Sequence, residues 1–167
     1  MHTAMPRRSN RPLTEFACSF LQKFWAKQQH GTGELRQGNT SVYFESNDSH
    51  QRVTVSLYGS PILTLVAVDM RPVSLWIAFG NRYDVYGHPT NTTRERLNGL
   101  LDRLGELGII PKGVRIFKSR EDDMIYVGKL DDIIAVGKHY AHSVFIEPSP
   151  DRLMMTAFDP SRPDVGR

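Results

Sequence analysis

At 167 residues, with 40% hydrophobic and 23% charged side chains, the chain has globular composition and length enough to bury roughly two-thirds of its unfolded surface. A net charge of +3, from 21 basic and 18 acidic residues, excludes a protein that coats nucleic acid by charge alone. A single cysteine, Cys18, excludes an internal disulfide framework and a multi-cysteine zinc site.

Residues 1–12 are polar, basic and proline-containing, and read as a flexible arm carrying Arg7, Arg8 and Arg11. A helix follows from Leu13. Leu13, Phe16, Ala17, Phe20, Leu21 and Phe24 form one apolar stripe with Trp25 at its edge, and Gly31 and Gly33 are expected to end it. So aromatic a stripe must dock on a large surface, most simply a sheet. Cys18 sits beside this stripe, where a buried, inert thiol is expected.

The period then changes from helical to extended. Residues 41–45, 52–58, 62–68 and 73–79 are β-rich runs separated by turn signals at 47–49, 59–61 and 69–72. Val53, Val55 and Leu57 alternate with Thr54, Ser56 and Tyr58, so one face of that strand is buried. The run 62–68 is nearly all apolar and suits a central strand. The connections are too short for parallel crossovers, which predicts an antiparallel meander.

A further strand is expected near 80–86, ahead of an amphipathic helix. Thr92 and Glu95 have the spacing of a capping box, and Leu97, Leu100, Leu101 and Leu104 line one helix face. The helix should close near Gly105 or Gly108, before Pro111. Residues 114–118 and 124–128 suit a hairpin, and 133–136, 144–147 and 152–157 suit further strands. The expected organisation is one α+β domain over 13–158, a mainly antiparallel sheet packed with two amphipathic helices, ahead of a frayed tail at 159–167.

Val55, Leu57 and Gly59, then Thr92, Thr93, Arg94, Arg96, Leu97 and Asn98, then residues 114–117 and 125–127, form a strand–turn–helix–strand pattern. In this order, over residues 53–128, the chain resembles small uncharacterised accessory proteins encoded by tailed bacteriophages. The resemblance implies an accessory role in the cytoplasm of an infected bacterium, and it implies no catalytic residues.

Read for chemistry, the chain offers little. There is no Gly-x-Ser-x-Gly elbow, Walker-type loop or Gly-x-Gly-x-x-Gly after a strand, so an enzyme is disfavoured and no cofactor is expected. His139 and His142, spaced i, i+3, are the weak candidates for metal ligation, with Asp122, Asp123, Asp131 and Asp132 as acidic neighbours in sequence. Arg94 and Asn98 lie one helical turn apart. Asn98 is expected to bond the loop 86–91, and Arg94 to hold a carboxylate, a carbonyl or, in a functional role, an acidic partner. Tyr43, Tyr58, Trp76, Tyr83, Tyr86, Tyr126 and Tyr140 supply aromatic candidates for an interface, with Tyr58 and Tyr86 foremost.

No apolar run reaches the ~18 residues of a membrane span, and no apolar core of a secretion signal follows the basic N-terminus. A cytoplasmic protein without a membrane partner is expected. The leading expectation is a non-enzymatic accessory protein that binds a host or phage protein and modulates or blocks it, in host takeover or anti-defence. The alternatives are a nucleic-acid binder using the arginine arm and a metal-dependent enzyme using the C-terminal His and Asp residues. Exposed sheet edges permit homo-oligomers.

Overall fold

The computed structural model describes residues 12–27, 31–79, 89–119, 121, 125–129, 132–135 and 143–158. The fold is α+β. Helix α1 (Pro12–Lys27) precedes strands β1 (Gly31–Gln37), β2 (Thr40–Ser46), β3 (His50–Leu57), β4 (Ser60–Val68) and β5 (Arg71–Ala78). Helix α2 (Asn91–Glu106) then leads to β6 (Arg115–Lys118), β7 (Ile125–Lys129), β8 (Asp132–Ala135), β9 (Ser143–Glu147) and β10 (Met154–Phe158).

The first five strands form the antiparallel meander that their short connections require. The chain then departs through α2 and a three-stranded sheet of β6, β7 and β8, and returns as β9 against β5, with β10 outermost. The resulting seven-stranded sheet has the order β1-β2-β3-β4-β5-β9-β10, and the apolar strand β4 is its middle member.

Alternation gives the sheet two unlike faces. Val53, Val55, Leu63, Leu65, Leu75 and Ile77 are fully buried and join Leu97, Leu100, Leu101 and Leu104 of α2 in one core. Helix α1 packs on α2 and on β2, not on the sheet alone. Its Cys18 thiol donates to the Gly99 carbonyl at 3.4 Å, and Arg103 of α2 pairs with Glu15 at 3.0 Å.

Several local expectations need correcting. Gly31 and Gly33 do not end α1, which stops at Lys27; they lie in β1, where the Phe44 ring covers the space a side chain at Gly33 would take. The turn between β3 and β4 is Tyr58-Gly59, not 59–61. Tyr58 (φ 52) and Gly59 (φ 80) are both left-handed, as are Asp69 (φ 51) and Met70 (φ 62) between β4 and β5, which is what two-residue hairpins of type I′ require.

Helix α2 is capped by Thr90, not by the Thr92–Glu95 box. Thr90 is extended, and its hydroxyl accepts the Thr93 N–H at 3.3 Å, so the helix begins two residues earlier than the box implies. Its other end is a Schellman closure. Gly108 (φ 75) donates to the Gly105 carbonyl at 3.1 Å, and Ile109 to the Leu104 carbonyl at 3.0 Å.

Candidate protein-binding surface

The face of the seven-stranded sheet opposite the helices is built by register. Pairing sets Glu34, Tyr43, Thr54, Thr64, Trp76, Phe145 and Thr156 side by side in one row across all seven strands. Their strand neighbours point to the core, so these side chains point away from it. Thr54 and Thr64 share a hydroxyl hydrogen bond of 3.2 Å, which ties the centre of the row together. Trp76 and Phe145 meet in a tilted pair with ring centroids 6.3 Å apart. Among the described residues no helix lies over this face.

Charge on the face is neutralised locally. Arg52 is bonded to Glu45 on the neighbouring strand, and Arg36 lies 3.7 Å from Glu34. At the β9–β10 end the face deepens into a groove of about 640 Å³, lined by Val73, Phe145, Glu147, Leu153, Met154 and Thr156. Val73 is the extra residue of a β-bulge in β5, which turns it outward. Val73, Phe145 and Met154 are each more than two-fifths exposed, so three large apolar side chains meet water in one place.

The residues singled out from sequence fall elsewhere. Asn98 is buried and grips β6, not the loop 86–91: its amide donates to the Ile116 carbonyl at 2.9 Å and accepts the Ile116 N–H at 2.7 Å. Ile116 already pairs with β7 through its neighbours, so the Asn98 side chain acts as the next rung on the open edge of β6. Arg94 bonds Asn91 at the start of its own helix. Tyr58 stands exposed on the β3–β4 turn, apart from the aromatic row. Tyr126 stacks on Phe117, centroids 5.7 Å apart, on the small sheet. Arg7, Arg8, Arg11, Tyr83, Tyr86, Tyr140, His139 and His142 lie outside the described residues, as does the strand expected at 80–86.

Two residues given no role from the sequence stand out. Phe145 is one; an aromatic between Val144 and Ile146 in a short strand must face away from the core, and that alternation was the available signal. Arg96 is the other. It follows Thr93 by three and precedes Leu100 by four, on the buried stripe of α2, and it reaches Thr14 of α1 and, at 3.4 Å, Asn39 between β1 and β2.

Burial pushes the Cys18 thiol up to about 12, Arg103 opposing and Glu15, Asp102 and Glu106 adding to the rise. A thiol so protonated is a poor nucleophile. Among the described residues no cluster of His, Cys, Asp and Glu could hold a metal ion, and no helix is long and apolar enough to cross a membrane.

These features define a class: an α+β protein whose antiparallel sheet is packed with helices on one face and presents aromatic and apolar side chains on the other. Comparison with protein-family models, with curated proteins and with solved structures found no match to the chain.

Proposed function

We propose that this chain is a non-enzymatic binding protein that engages another protein through the outer face of its large sheet and blocks or modulates it. The observation that carries this reading is the convergence of Val73, Phe145 and Met154, all exposed, around one groove beside Trp76. A protein gains little from holding such side chains in water, and removal of that area from water favours association. Methionine lining suits a surface that adapts to its occupant, and aromatic anchors concentrate binding energy. The paired charges of Arg52 and Glu45, and of Arg36 and Glu34, favour a protein over a nucleic acid. With the resemblance to bacteriophage accessory proteins, the reading becomes a phage-type factor acting on a host or viral protein, in host takeover or anti-defence.

The test is affinity capture from nuclease-treated bacterial and phage-infected lysates with the wild-type chain and a Phe145→Ala/Met154→Ala variant. A discrete protein retained by the wild type and lost by the equally stable variant is the expected result. Capture that the variant retains in full, or that nuclease abolishes, overturns the reading.

A further inference from the structure

Among the described residues the large sheet ends at β1, and this edge is open. β1 pairs with β2 in unbroken register over all seven residues, with no bulge. It contains neither proline nor lysine, and six of its seven residues are exposed. A bulge, a proline and a lysine, which commonly blunt an edge strand, are therefore missing from β1, and its outward N–H and C=O groups form a template for another strand.

The order of side chains on β1 says which strand fits. Leu35 pairs with fully buried Val42, so it hangs from the core side of the sheet, yet it is 47% exposed at the edge. Glu34 and Arg36 flank it on the outer side, 3.7 Å apart, with 51% and 67% of their side chains exposed. We propose that β1 pairs antiparallel with β1 of a second copy of this chain, about a two-fold axis at Leu35. In that register Glu34 of each copy lies opposite Arg36 of the other, twice over, and the two Leu35 side chains meet on the axis. Directly opposed unlike charges stabilise antiparallel pairs, and like charges destabilise them.

The opposite edge offers no such code. β10, reading MMTAF, has no charge to set a register. The axis stands perpendicular to the sheet, so both aromatic rows emerge on the same side of one continuous sheet. A dimer of this kind presents two copies of the outer face together, and a partner with two matching epitopes would be held by both. The pairing itself does not depend on what the outer face binds.

The test is sedimentation of charge variants. Wild type is expected to show a reversible monomer–dimer equilibrium with concentration. Glu34→Arg alone sets arginine against arginine, and Arg36→Glu alone sets glutamate against glutamate; each is expected to be monomeric. An equimolar mixture of the two has unlike charges at both crossings and is expected to dimerise, as is the double variant. Recovery in the mixture also separates loss of pairing from loss of fold. A wild type that stays monomeric at its solubility limit overturns the proposal. So does a dimer that both single variants retain, or a mixture that stays monomeric.

Discussion

Replacing Asn98 by alanine removes a side chain that bonds the open edge of β6 to α2. The amide makes two bonds to the same residue, to the Ile116 N–H at 2.7 Å and the Ile116 carbonyl at 2.9 Å. Both partners are buried, Asn98 at 7% and Ile116 at 2% exposure, so solvent cannot replace the lost rung without opening the joint. Leaving a buried donor or acceptor unpaired costs about 1–3 kcal/mol each, and with partial relaxation the variant should lose about 2–4 kcal/mol. For a chain of this size that lowers the melting temperature by about 6–12 °C. In urea it moves the midpoint down by about 1–2 M.

Asn98→Asp provides the control for packing. It has nearly the same shape and still accepts the Ile116 N–H, but its carboxylate turns a second acceptor toward the Ile116 carbonyl. At neutral pH it should destabilise at least as much as alanine, because the charge is also buried. The assay is urea unfolding followed by tryptophan fluorescence and far-ultraviolet circular dichroism, which must agree for two-state treatment. A loss below about 0.5 kcal/mol for Asn98→Ala, the range of ordinary surface changes, would refute the reasoning.

Three further outcomes follow from α1 and its contacts. Cys18 should resist a thiol reagent in the folded protein and react at once in denaturant. Its folded value of about 12 lies above the ordinary 9.0, so its contribution to stability is full below pH 9.0 and falls as the pH rises from there toward 12; unfolding curves of wild type and Cys18→Ala across that window check the sign. Glu15→Ala removes the bond to Arg103, an ion pair half open to water on the Glu15 side, and should cost under about 1 kcal/mol, shrinking further in high salt. Arg96→Ala takes away a buried guanidinium that bonds Thr14 and Asn39, and chemical unfolding should show a loss of about 2–4 kcal/mol. Arg96→Lys should recover only part of it, because one ammonium lacks the planar fork.

Much of the framework was legible because local patterns and tertiary demands agree. Val53, Val55 and Leu57 alternate as a half-buried strand must, and the four leucines of α2 define its buried stripe. Where such agreement was lacking, the sequence misled. β1 reads GTGELRQ, with two glycines and one apolar residue; it is a strand because β2 offers a ladder and the Phe44 ring shields Gly33. The start of α2 carries Thr90, Thr92 and Thr93; the spacing of Thr92 and Glu95 pointed to Thr92 as the cap, and only the backbone geometry shows that Thr90 serves.

The candidate surface was less legible than the fold. Tyr43 and Trp76 belong to strands three pairings apart, and Phe145 arrives from a strand added after α2 and the small sheet. Their alignment depends on long-range register, which no local window contains. Asn98 was conspicuous in sequence, but its partner lies 18 residues downstream, so its structural role showed only once β6 was in place.

The central claim is that the outer sheet face meets a protein partner. The most direct measurement places a photo-crosslinking phenylalanine analogue at position 145 and, separately, at exposed position 112 after α2. Each chain is irradiated in nuclease-treated bacterial and phage-infected lysates. The account predicts a discrete protein adduct from position 145 and none from position 112. No adduct from position 145, or the same adduct from both, would contradict it.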